Sequence, residues 1–252
     1  MKIFQTFQAV RHIDAILRSR IRQAEKLLVA LLAAGALTAQ GQTNYSVGLS
    51  GINQTIPDGN PNGIFSQISA TGIPASLLNV SVNLDITGGY DGDLYAYLLF
   101  NNGSSPATQV ILLNRIGNTA ANPFGSQDPG LDVTFSDSAF TDIHLAPDSG
   151  NSPLTGTFQV DGRNVDPQLV LDNSLRSTFL SSLDGVSPDG TWTLFVADMA
   201  GGDTTDTSTL VSWGINITVA PEPNSLSLLV VGLGIIGIAM FFGGKAQRST
   251  RS

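Results

Sequence analysis

The chain has 252 residues, no cysteine, 12 lysines and arginines against 20 aspartates and glutamates, and a net charge of −8. Without cysteine there is neither a disulfide staple nor a thiol ligand, so an exported domain of this chain must rest on core burial and on oxygen chemistry. The charge is divided by segment: residues 1–39 carry +4, residues 40–220 carry −14 and residues 221–252 carry +2; a middle segment so acidic repels nucleic acid, which excludes DNA and RNA as partners.

The first 41 residues read as a secretory signal. Arg18, Arg20, Arg22 and Lys26 precede an apolar stretch from Leu27 to Leu37, and the small-residue region Thr38-Ala39-Gln40-Gly41 follows, the order of n-region, h-region and cleavage site. The basic n-region is long, so either the start lies downstream of Met1 or Met1–Lys26 is a cationic amphipathic extension. Cleavage is expected after Ala39 or after Gly41.

Residues 42–220 are long enough for one domain with a real core and too few for two. Hydrophobic residues alternate with period two at Val80, Val82, Leu84 and Ile86, at Trp192, Leu194 and Val196, and at Trp213, Ile215, Ile217 and Val219, the pattern of strands with one face inward. Turn-rich stretches separate them, such as Asp58-Gly59-Asn60-Pro61, Gly88-Gly89-Tyr90-Asp91-Gly92 and Gly201-Gly202-Asp203. Many short strands joined by Gly, Asn, Asp and Pro predict an all-β sandwich or jelly roll. A helical turn is expected around Leu175–Leu183, and the two tryptophans, on alternating strands, are expected in the core.

Four blocks in this middle segment carry a resemblance. They are Gly92-Asp93-Leu94 with Tyr95, Tyr97 and Leu99; Thr134-Phe135-Ser136-Asp137; Pro153 to Phe158; and Leu183 to Leu194, containing Gly190-Thr191-Trp192-Thr193-Leu194, followed by Asp198 and Trp213. Together, from about Tyr45 to Val219, they resemble the P domain (P/Homo B) of proprotein convertases. The resemblance implies a galactose-binding-like jelly-roll β-sandwich, a non-catalytic unit that in relatives follows a subtilisin-like serine endopeptidase domain and supports its folding. This chain departs from that arrangement: no protease domain precedes the segment, and Thr87-Gly88-Gly89-Tyr90 stands where the family usually has a histidine.

All 17 acids of residues 40–220 are aspartates. Calcium takes six to eight oxygens from carboxylates, carbonyls and water. Asp91 and Asp93 in a glycine-rich turn, and Asp198, Asp203 and Asp206 after the Trp192 strand, are therefore candidate calcium ligands, and the family resemblance adds Asp137. A competing reading makes Asp93 and Asp198 structural, as acceptors of backbone N–H groups at strand ends. The one histidine of the segment, His144, has no nucleophile motif beside it, and no catalytic triad is expected.

The chain closes with Pro221-Glu222-Pro223, an apolar run from Leu226 to Phe242, and a tail with Lys245, Arg248 and Arg251. About seventeen apolar or small residues at ~1.5 Å rise span roughly 26 Å, enough for a transmembrane helix, and the cations that follow hold that end on the cytoplasmic side. Gly232-Leu233-Gly234-Ile235-Ile236-Gly237 matches a dinucleotide fingerprint by spelling alone, with no strand before it. The order of the three parts resembles the PEP-CTERM sorting signal of exopolysaccharide-making Gram-negative bacteria. It implies dealings with the export machinery and with a C-terminal sorting and processing enzyme, an inner-membrane anchor held at least transiently, and a final place at the cell surface or in extracellular matrix. The expected role is non-enzymatic binding or scaffolding. Two alternatives are an accessory domain for a separately encoded surface protease and a lectin-like exopolysaccharide-binding module.

Overall fold

The computed structural model describes residues 18–23, 26, 41–103, 106–202 and 207–220. The apolar spans at both ends, Asp203, Asp206, Pro221-Glu222-Pro223 and the basic tail lie outside the described residues. Among those described, no helix is long and apolar enough to cross a membrane.

Residues Gln42–Ala220 form one unit, and it is all-β. Its ten strands are β1 (Thr43–Leu49), β2 (Gln54–Thr55), β3 (Ile64–Ala70), β4 (Leu77–Thr87), β5 (Leu94–Asn101), β6 (Thr108–Asn114), β7 (Gly130–Phe135), β8 (Leu154–Phe158), β9 (Gly190–Asp198) and β10 (Thr209–Val219). They make two sheets. One runs β1-β10-β4-β7-β8, with β2 also pairing β10; the other runs β3-β9-β5-β6. Every pair is antiparallel except β7 with β8.

The period-two pattern places the core. On β4, Val80, Val82, Leu84 and Ile86 are buried, and the register sets the first three opposite Ile217, Ile215 and Trp213 of β10, which are buried as well. On the other sheet Leu94, Ala96, Leu98 and Phe100 of β5 and Trp192, Leu194 and Val196 of β9 point inward. Trp192 packs on Phe100 with ring centroids 4.1 Å apart. Both indole N–H groups find acceptors, Trp192 at the Pro188 carbonyl (3.1 Å) and Trp213 at Ser66 Oγ (2.8 Å). Since Trp213 stands on β10 and Ser66 on β3, the second bond joins one sheet to the other. A buried Trp whose polar edge is satisfied contributes area without the cost of an orphan donor.

The helical turn expected over Leu175–Leu183 is a 3-10 helix confined to Leu180–Leu183. Before it the chain is extended and paired, since Arg163 and Arg176 form an isolated bridge and Ile111 N–H donates to Thr178 Oγ1.

Candidate functional site

Strand β4 ends in Gly88 and Gly89, both at positive φ (+74° and +66°), a conformation that L side chains adopt only with strain. The reversal delivers a short 3-10 turn, Asp91–Asp93, at the head of β5. The turn is tied down by its backbone: Asp91 N–H donates to the Asp128 carbonyl (3.1 Å), Gly92 N–H to the Ser126 carbonyl (2.9 Å), and Met199 N–H to the Asp93 carbonyl (2.8 Å). Gly92 lies so close to the Phe124 carbonyl and Ser126 that a Cβ has no room.

The two aspartates of this turn meet opposite environments. Asp93 stands 3.5 Å from Arg115, whose Nε also donates to the Gly92 carbonyl (3.0 Å). Asp91 is fully buried, and neither of its carboxylate oxygens has a hydrogen-bond partner. Burial, then the negative charge of Asp128, pushes its pKa up to about 8; Asp148 adds to the rise, and the nearby Gly130 amide opposes it. The well-formed bond of that amide goes to the Asp128 carbonyl at 3.1 Å, so what it lends to Asp91 is small beside the burial that raises the pKa. Asp128 shows the reverse. Burial raises its pKa, but donation from Ser149 N–H and Ser149 Oγ, a side-chain hydrogen bond with Asp148, and donation from Gly150 N–H outweigh it and hold the carboxyl below the usual range. Over the turn opens a cleft of ≈350 Å³ whose lining includes Tyr90, Asp93, Phe124, Ser126 and Gln127. Phe124 is 72% exposed.

Of the other metal candidates, Asp203 and Asp206 lie outside the described residues, and Asp137 and Asp198 have backbone partners of their own. Asp137 sits at the start of the Leu180–Leu183 turn, accepting from Ser181 N–H (2.7 Å) and Leu180 N–H (3.3 Å). Asp198 is buried at the end of β9 and accepts from Ala200 N–H at 3.1 Å. Among the described residues, no three acidic, histidine or cysteine side chains converge as metal ligands. Asp128 and Asp148, which do neighbour Asp91, lie 37 and 57 positions away in sequence. Spacing carried no signal for them.

His144 belongs to a buried polar network. Its Nδ1 is 2.8 Å from Asp161 Oδ2 and its Nε2 is 3.0 Å from the Asn118 carbonyl. Both partners are acceptors, so both bonds form only when the ring carries two protons. Burial lowers the imidazole pKa, but the hydrogen bond and charge of Asp161, with the Asn118 carbonyl, outweigh it and raise the pKa above 6.5, against opposition from Arg163. Arg163 Nη1 donates to Asp142 Oδ2 (2.8 Å) and Asp161 Oδ1 (3.3 Å), and Arg176 Nη1 donates to Gln159 Oε1 (2.8 Å).

Because the folded protein holds the His144 proton more tightly than the unfolded chain, this contribution to stability is complete below pH 6.5 and is lost as pH rises through the folded pKa. The melting temperature of wild type is expected to fall more between pH 6 and 9 than that of His144→Gln. Parallel slopes in the two proteins would show a neutral ring.

A second open feature lies on the outer face of the four-stranded sheet. Phe65 of β3 is 57% exposed and pairs in register with Phe195 of β9, which pairs with Tyr97 of β5. Ring centroids are 4.9 Å apart for Phe65–Phe195 and 4.7 Å for the stacked Tyr97–Phe195, with Tyr95 6.1 Å from Tyr97. Gln67 and Thr193, joined by a 3.1 Å hydrogen bond, edge this row. The outward places of the same alternation that marks the core carry these rings, Tyr95 and Tyr97 among them.

Fold and site together define an all-β, two-sheet module whose buried ionisable groups hold loops in place and whose open features are a cleft and an aromatic face. No family model matches the chain, and no curated protein matches it. Among solved structures, a chain in the crystal structure of the Aeromonas sobria serine protease and its chaperone complex aligns at 16% identity with a TM-score of 0.37. The alignment covers 72% of this chain and 28% of that one.

Proposed function

We propose that Gln42–Ala220 is a non-catalytic binding or scaffolding module of P-domain, jelly-roll type, exported by its leader and sorted by a PEP-CTERM tail to the cell surface or matrix. The observation that favours binding over catalysis is the fate of His144. Chemistry of the serine-hydrolase kind needs a histidine free to take a proton from a nucleophile, whereas both ring nitrogens here are engaged by acceptors in a buried network. What the module offers to solvent is aromatic surface, and flat rings bind ligands by area and stacking at small entropic cost.

A second reading, lectin-like recognition of exopolysaccharide, is favoured by the exposed Phe124 and by Tyr90, which share a cleft with Asp93. The test is capture of secreted material on the immobilised full chain, compared with Phe65→Ala and Phe124→Ala. Polysaccharide retained by wild type and lost in Phe124→Ala supports the lectin-like reading. A subtilisin-like protease retained through Phe65 supports the accessory role, and hydrolysis of the captured material by the chain itself sinks both. For the sorting proposal, the surface-exposed protein is expected to end near Pro221; an intact tail on every molecule would count against processing.

A further inference from the structure

We propose that the Asp91 turn is a calcium site, built on the carboxylate of Asp91 with Asp148 as its second acidic donor and Asp128 beside them, and without Asp137 or Asp198. Two independent observations converge on it. The first is Asp91 itself: a carboxylate with no exposed surface and two unpartnered oxygens. A buried polar group without a partner is costly and a charged one more so, so such a group either stays neutral or is given a counter-charge. The second is that the neighbourhood supplies more negative charge instead. Asp128 and Asp148 act on Asp91 as like charges, and the cation of this region, Arg115, is turned to Asp93 and to the Gly92 and Pro123 carbonyls. A fixed acidic pocket with no cation of its own is completed by a cation from solution.

The donor set selects the ion. Every candidate ligand is an oxygen, which suits a hard cation, and irregular loops with few carboxylates suit calcium better than magnesium with its strict octahedron. The three carboxylates do not converge as they stand. Closing the site requires the exposed Asp148 side chain, already hydrogen-bonded to Asp128, to turn further in, releasing the Gly150 amide (2.9 Å) and the long contact from the Gln127 amide (3.4 Å). Backbone carbonyls and water then supply the remaining positions. An approach from solvent exists, since Tyr90, Asp93, Ser126 and Gln127, the chain neighbours of Asp91 and Asp128, line the open cleft. This assignment stands independently of what the module binds.

The test is thermal denaturation of the full chain in detergent, stripped with chelator and titrated with calcium chloride. With calcium about a hundredfold above its Kd, the melting temperature is expected to rise by roughly 5–10 °C. Asp91→Asn abolishes the shift and Asp148→Asn diminishes it, while Asp137→Asn, altered at a helical-turn cap, keeps it. No shift in wild type at millimolar calcium overturns the proposal, as does a shift that survives Asp91→Asn. An equal shift from magnesium overturns the choice of ion. Calorimetric titration gives a readout separate from stability, with about one calcium per chain expected in wild type and none in Asp91→Asn.

Discussion

Replacing Arg163 by methionine is expected to destabilise the module by roughly 3–5 kcal/mol, because it removes the cation shared by two buried carboxylates and leaves Asp161 with His144 alone and Asp142 with Arg176 at 3.6 Å. Arg163 is 2% exposed, and its guanidinium donates to the carboxylates of Asp142 and Asp161 and to the Asp172 carbonyl. Methionine keeps the length and apolar volume of the stem, so the loss reports charge and hydrogen bonding more than packing. Asp161 is the acceptor for His144 Nδ1, so the damage spreads from one pair to the segment Thr141–Leu145 that His144 pins against Asn118. Arg163→Lys is expected to recover little, since an ammonium cannot reproduce a fork that reaches three acceptors on two sides. Urea unfolding measures the difference. A loss below about 1 kcal/mol would place the network with surface ion pairs in its energetic weight.

The opposite sign is expected for Asp91→Asn in the absence of calcium. The folded protein holds the Asp91 proton up to about pH 8, whereas the unfolded chain releases it near 3.8. Stability from this group is therefore complete below pH 3.8, declines as pH rises, and levels off above about pH 8. One pKa unit is worth about 1.4 kcal/mol, so the isosteric amide, which cannot ionise, should stabilise the calcium-free protein at pH 8 by on the order of 2–4 kcal/mol once the cost of its own unpaired dipole is deducted. At pH 4, where the folded carboxyl is neutral, only that dipole cost remains and the order reverses, with wild type the more stable by roughly 1–3 kcal/mol. In saturating calcium the order at pH 8 reverses, with wild type the more stable. An Asp91→Asn variant less stable than wild type at pH 8 without calcium would show that the carboxylate has a partner in solution.

The alternation at Val80–Ile86, Trp192–Val196 and Trp213–Val219 was enough to identify three principal strands and their inward faces, because the side-chain period of a strand is a local property. The same rule placed both tryptophans in the core. The turn around Leu175–Leu183 was legible only in its last part, since the pairing of Arg163 with Arg176 and of Thr178 with Ile111 is a long-range choice. The structural reading of Asp93 and Asp198 asks for backbone N–H donors at strand ends; Asp198 has one in the Ala200 amide, whereas Asp93 is met by the Arg115 guanidinium at 3.5 Å.

By itself, then, the sequence determined the all-β class, the faces of the main strands, the acidic and cysteine-free character of the middle segment, and the targeting-like patterns at both ends, all set by local period or by composition. Only the tertiary structure decided which aspartate is stranded and which is satisfied. Asp91 and Asp93 share one turn and one tripeptide, yet the chain folding back at Asp128 and Asp148 leaves the first without a partner, while Arg115 after β6 reaches the second. Electrostatic environment is a property of what surrounds a group in space, and sheet pairing brings residues together across dozens of positions that no spacing in the chain records.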